Sequence, residues 1–181
     1  MAFLEPQAVI GQMPIINGDH ILDIGCGLGA FALAVAERYS HAHVTAMDID
    51  IDKLDILAAN TLRLQHLNVH TLKCDIAEAW PIETLTIDAA IVANILHIFK
   101  NDKIDFILSE LHRVMKPHAM AVVIEWKSND NIDAAHSMAI GPRGHAIGEA
   151  EMLEILKRNG FIIKSNIPAG VYHYGLLIES I

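Results

Sequence analysis

The chain is poor in cysteine, carries no basic run and has no unbroken apolar stretch, and each lack removes a class of protein. Its two cysteines among 181 residues, Cys26 and Cys74, fall in different expected elements with no metal-type pair spacing. That usage fits a reducing cytoplasm better than a disulfide framework. No Lys/Arg cluster relieves a formal net charge of −9. Nucleic acid and anionic membrane surfaces both need a basic field to offset their own charge, so neither is an expected partner. The longest apolar candidate, Ile87 to Phe99, is broken by Asp88, Asn94 and His97 and is too short to span a bilayer. Met1-Ala2-Phe3-Leu4-Glu5-Pro6 lacks the basic and apolar regions of a secretory leader, which again points to the cytoplasm. Repeats and low-complexity tracts are absent, and the histidines show no metal-ligand spacing, so no metal is expected.

What is present is apolar content, 52% of an evenly mixed sequence. A chain of this length fits one domain over residues 1–181 with one sizeable core, and the apolar excess is compatible with a homodimer. Strand-like and helix-like stretches alternate. Pro6 opens a short helix to about Gln12; strands are expected at His20–Ile24, His43–Met47, Val69–Lys73, Ala89–Ala93 and Ala119–Glu125. Helices are expected at Gly29–Tyr39, at Ile51–His66 behind an Asp50 N-cap, and from an Asn101 or Asp102 cap to Met115, with Pro117 as the stop. Lys127 to Gly148 lacks a period and reads as a long loop or a short irregular helix of functional interest. A helix at Glu149–Asn159 and strands at Phe161–Ser165 and Val171–Ile178 close the chain. The last two strands are joined too tightly for a parallel crossover and should form an antiparallel edge hairpin. The whole reads as an α/β fold: a doubly wound, mostly parallel, seven-stranded sheet with helices on both faces and its ligand at the carboxyl ends of the strands.

The first strand runs into Leu22-Asp23-Ile24-Gly25-Cys26-Gly27-Leu28-Gly29-Ala30, a glycine turn at a helix N-terminus. Alone it fits the dinucleotide fingerprint, with Asp48 at the right distance for a ribose. Charge separates the candidate ligands. Asp23 beside the turn, with Asp48 and Asp75 at later strand ends, would repel a pyrophosphate and attract a ligand carrying an ammonium and a sulfonium.

With these residues in place the chain resembles the class I S-adenosylmethionine-dependent methyltransferases, of the ubiquinone/menaquinone-biosynthesis type. The glycine turn resembles their first motif, and Ala46-Met47-Asp48-Ile49-Asp50 their ribose-binding strand end. Lys73-Cys74-Asp75-Ile76 is similar to the adenine-contacting segment, and Ile87 to His97 to the fourth strand and its loop. Glu110-Leu111-His112-Arg113-Val114-Met115-Lys116-Pro117 is similar to their E-x-x-R-V-L-K-P helix end. Where the family has Lys-Pro-Gly-Gly, this chain has Lys116-Pro117-His118-Ala119, so a different turn geometry is expected.

The acidic charge balance points to a small-molecule methyl acceptor, and the resemblance implies a Rossmann-like methyltransferase fold and S-adenosylmethionine as cofactor. It places Gly25, Cys26, Gly27 and Gly29 around the methionine part, and Asp23 near its ammonium. Asp48 would sit on the ribose hydroxyls, Ile49 and Ile76 on the adenine faces and Asp75 on the adenine amine, with Asn94 facing the methyl. His97, after the fourth strand, is the candidate base or substrate positioner, with loop packing as the alternative. Glu125 and Trp126 at the end of the fifth strand, and Arg143 and His145 in the Gly141-Pro142-Arg143-Gly144-His145 loop, are candidates for the acceptor pocket. An NAD-dependent oxidoreductase on the same fold and a non-catalytic cofactor-binding scaffold stay open as alternatives.

Overall fold

Side-chain alternation along the strands sorts the interior into two layers. The structure, a computed structural model, describes residues 4–127 and 146–181. Strand β1 (His20–Ile24) sends Ile21 to one face of the sheet and Leu22 and Ile24 to the other. Strand β4 (Ile87–Ala93) does the same with Ala89 and Ile91 against Ala90 and Val92, and both of its faces are buried, as its nearly all-apolar sequence anticipates.

The Ile21 face is covered by α1 (Pro6–Ile10), α2 (Ala30–Arg38) and Leu57 of α3 (Ile51–Leu64). The Leu22 face is covered by α4 (Asn101–Val114) and α5 (Glu149–Arg158). In α4, Ile104, Ile107, Leu108, Leu111 and Val114 recur at helical spacing and are all fully buried. Helix α3 starts where Asp50 accepts hydrogen bonds from the Asp52 and Lys53 amides, as its sequence anticipates. Helix α4 departs from expectation: Lys100 occupies the N-cap with no side-chain bond, and Asn101 is already helical.

With β2 (His43–Asp48), β3 (Val69–Lys73), β5 (Met115–Trp126), β6 (Phe161–Ile167) and β7 (His173–Ser180), the sheet runs β3-β2-β1-β4-β5-β7-β6. The first five strands in that order pair in parallel, and β7 pairs antiparallel with both β5 and β6. The doubly wound Rossmann-like sheet with its edge hairpin is therefore present. Strand β5 begins four residues earlier than the sequence suggests, because Met115 pairs with Ile87 before a register shift restores the ladder at Ala89 and Met120. In between, His118 takes a left-handed φ of 65°, the conformation glycine would adopt, so the turn keeps that backbone without glycine. His118 is tied down by Nδ1 bonding to Glu179 at 2.7 Å.

Candidate active site at the strand ends

All the expected site residues that the structure describes gather at the carboxyl ends of β1, β2, β3, β4 and β5. Arg143 and His145 lie outside the described residues. The glycine turn is fixed by close packing. A side chain on Gly29, the left-handed N-cap of α2, would meet Leu57 at 2.3 Å, and one on Gly25 would meet Ile95 at 2.7 Å. Gly27 is the opposite case, with nothing among the described residues within 4 Å of where a side chain would sit. The turn thus packs down at two glycines and opens at the third.

Asp48, at the end of β2, braces that turn. Its Oδ2 accepts from the Gly27 amide at 2.8 Å and its Oδ1 from the Asp50 amide at 2.9 Å. Each carboxylate oxygen can accept more than one bond, so capacity toward a ligand is left on both. Asp75 is exposed and accepts from the Ala77 amide at 2.9 Å, which holds the next strand end in a similar turn. Between them lies a cleft of about 260 Å³, bordered by Gly25, Asp48, Ile49, Asp75 and Ile76, with Ile95 and Phe99 closing it. Ile49 is exposed and Ile76 buried, so one apolar wall projects into solvent and the other is set into the core.

Asp23 stands underneath. It is 2% exposed, and its Oδ2 accepts from the Ala32 amide at 3.0 Å, tying β1 to the first turn of α2. Burial pushes its carboxyl up to about 7, and the Asp48 charge pushes the same way, while the Ala32 bond opposes both. Burial, then Asp23 and Asp48, also push the Cys26 thiol upward, which leaves it protonated and a poor nucleophile.

At the end of β4 the chain turns through Asn94, left-handed at φ 55°, into a short 3-10 helix (Leu96–Ile98). Asn94 Nδ2 meets His173 Nε2 at 3.1 Å, while its Oδ1 is buried without a hydrogen-bond partner among the described residues. His97 is 5% exposed, and its Nδ1 lies 2.8 Å from Glu125 Oε2. The other oxygen, Glu125 Oε1, accepts from three successive amides, Ile95 at 3.0 Å, Leu96 at 2.7 Å and His97 at 3.3 Å. Glu125 is fully buried, so it stands behind His97 and shapes the loop; it does not form an open pocket wall. Trp126 stacks on His173 with ring centroids 4.0 Å apart.

Two supports stand behind the cleft whose roles the motifs do not give. The Glu110 and Arg113 of the E-x-x-R segment form a doubly bonded pair at 2.7 Å, and Arg113 also donates to the Ile82 and Trp80 carbonyls. Glu110 in turn accepts from the Trp80 amide at 2.8 Å. This clamp holds the crossover that carries Asp75 and Ile76 into the cleft; the i, i+3 spacing on a helix is the signal that could have revealed it. The second is the Asn94–His173 contact, which joins residues 79 apart in sequence.

A larger open depression of about 420 Å³ lies toward the amino ends of β1 and β3, along His20, Thr45 and His70. It is at the wrong end of a parallel sheet for the glycine turn to serve it. Among the described residues no group of three or more His, Cys, Asp or Glu side chains is placed to hold a metal, and no helix is long and apolar enough to cross a membrane.

Comparison with known proteins adds a family. A family profile described as a methyltransferase domain matches residues 21–118, from β1 to the turn inside β5. A tRNA1(Val) (adenine(37)-N6)-methyltransferase of Vibrio cholerae is 39% identical over 74 residues, 41% of this chain and 30% of the relative. A ubiquinone/menaquinone biosynthesis C-methyltransferase of Syntrophotalea carbinolica is 27% identical over 126 residues, 68% of this chain and 51% of the relative. The chain thus spans about a third to a half of these relatives' lengths. The crystal structure of a SAM-dependent methyltransferase from Aquifex aeolicus superposes with a TM-score of 0.82 at 22% identity, covering 99% of this chain and 91% of that one.

Proposed function

The chain belongs to the methyltransferase domain family, and from that we propose that residues 1–181 act as one S-adenosylmethionine-dependent enzyme that methylates a small molecule. The observation that carries the reading is the convergence of Asp48 and Asp75, from neighbouring strand ends, on one cleft walled by Ile49 and Ile76 beside an open glycine.

The residues present fit that cofactor. Apolar walls at Ile49 and Ile76 suit a flat adenine, and an Asp48 braced by backbone donors keeps acceptor sites for ribose hydroxyls. The buried, unpartnered Asn94 Oδ1 is an acceptor that suits an ammonium, and Asp23 beneath the turn favours a cationic ligand over a pyrophosphate. Hydride transfer from a dinucleotide is correspondingly disfavoured. When bound, S-adenosylmethionine supplies a methyl group on a sulfonium, activated for in-line displacement.

The chain's own contribution is alignment and a base. Glu125 Oε2 accepts the Nδ1 proton of His97, which leaves Nε2 as the unprotonated nitrogen able to take a proton from an acceptor hydroxyl or amine. The net charge of −9 and the lack of a basic run support a small acceptor. A base in RNA is the second reading, favoured by the Vibrio cholerae relative, whose name gives a tRNA adenine as its target.

Calorimetry with S-adenosylhomocysteine tests the site. Wild type should bind and Asp48→Ala should not; equal affinity in both refutes the assignment of the cleft. Adding excess tRNA during turnover of a small acceptor should leave the rate unchanged, and methylation of the tRNA itself would favour the second reading.

A further inference from the structure

We infer that His173 is a positioning residue that decides which atom of the Asn94 amide is presented to the ligand. The inference rests on the cofactor reading above and adds a residue from β7, far outside the matched family region. An asparagine amide has two chemically opposite ends, Nδ2 with two donors and Oδ1 with acceptor lone pairs only. Left to itself it can present either. Here Nδ2 points to His173 Nε2 at 3.1 Å. Paired this way, Nδ2 donates to the unprotonated ring nitrogen and Oδ1 faces the other way. Oδ1 is buried and has no partner among the described residues, an arrangement that costs stability unless a ligand donor completes it.

Both partners are held rigidly enough to make the choice stick. The Asn94 backbone is pinned by the hydrogen bond that its N–H donates to the Ile124 carbonyl at 2.9 Å and by its left-handed φ. The His173 ring is buried, in register with Trp126 across the β5–β7 ladder, and stacked on the indole at 4.0 Å. An ammonium has donors and no acceptor, so it is served by the orientation that His173 imposes and by no other. The methionyl end of the cofactor carries such a group, whereas the adenosyl end does not.

The test measures binding, without turnover, of two probes by calorimetry: S-adenosylhomocysteine, which carries the ammonium, and 5′-methylthioadenosine, which lacks it. His173→Phe keeps a ring on Trp126 and removes the acceptor. It should lower S-adenosylhomocysteine affinity about tenfold, the scale of one hydrogen bond to a charged group, and leave methylthioadenosine affinity within about twofold, which also reports that the variant is folded. Asn94→Asp makes both ends acceptors, so the choice no longer matters. With Asn94→Asp already in place, His173→Phe should change S-adenosylhomocysteine affinity by less than about twofold. Equal losses for the two probes, no loss for either, or the same loss with and without Asn94→Asp would overturn the inference while the cofactor reading stood. Failure of wild type to bind both probes would overturn the cofactor reading and this inference together.

Discussion

Glu125 holds His97 with one oxygen and the backbone beneath it with the other. Oε2 meets Nδ1 at 2.8 Å, and Oε1 gathers the Ile95, Leu96 and His97 amides. One fully buried carboxylate therefore sets the position, the tautomer and the ring orientation of the residue proposed as base. The two residues should fail differently when changed.

His97→Ala removes the base and leaves the loop clamped. Turnover should fall about 10²- to 10⁴-fold, with S-adenosylhomocysteine affinity unchanged. Glu125→Gln replaces an acceptor-only group by one with a donor facing three amides or the ring. It should lower both turnover and thermal stability, the latter by about 1–3 kcal/mol. Steady-state kinetics beside thermal unfolding of both variants checks the difference; a His97→Ala enzyme with normal turnover would return His97 to a packing role.

Asp23 gives a pH dependence whose sign can be worked out. Its folded-state value, about 7, lies above the ordinary 3.8, so between those values the folded protein holds a proton that the unfolded chain has released. Stability therefore falls as pH rises through that window. A cationic ligand favours the ionised carboxylate, so binding below pH 7 should expel a proton, and affinity should rise with pH up to about 7. Titrations of S-adenosylhomocysteine in two buffers of different ionisation enthalpy will show the released proton. Asp23→Asn should abolish that release and remove the loss of stability between about pH 4 and pH 7.

The Glu110–Arg113 clamp predicts the reverse slope. Arg113 holds the Glu110 carboxyl below the ordinary carboxylate range, so its stabilisation is present at neutral pH and is lost as pH falls through the acid range. Arg113→Lys cannot reproduce a fork that reaches one carboxylate and two carbonyls at once. With the guanidinium about a third exposed, the cost should be about 1–2 kcal/mol. Cofactor affinity should fall with it, because the clamped crossover carries Asp75 and Ile76. Thermal unfolding at pH 7 and calorimetry on the same variant check both parts.

What the sequence discloses and what it hides divide along physical lines. The glycine turn, Asp48 and Asp75 are legible because strand ends and tight turns are local: a few adjacent residues decide them. The order of strands follows from short connections and the hand of the crossovers. The partnership of His97 with Glu125 is not legible, since it joins residues 28 apart through two strand ends, and either residue alone reads as an ordinary loop or strand-end group. His173 is hidden more deeply, because on β7 it looks like one more packed residue until β7 is seen to lie antiparallel to β5. The start of α4 misled for a different reason: Asn101 and Asp102 are good capping types, yet the helix begins at Asn101 and spends both inside its first turn.

The strand order also has a meaning for synthesis. Strands β1 to β5 emerge from the ribosome in sequence, so the glycine turn, the cleft and the His97–Glu125 pair can all assemble while β6 and β7 are still being made. During that interval β5 carries an unpaired edge from Met120 to Trp126, much of it apolar, in the middle of what will become the sheet. That edge is where a stalled or truncated chain would pair with a neighbour, and arrival of β7 both seals it and delivers His173.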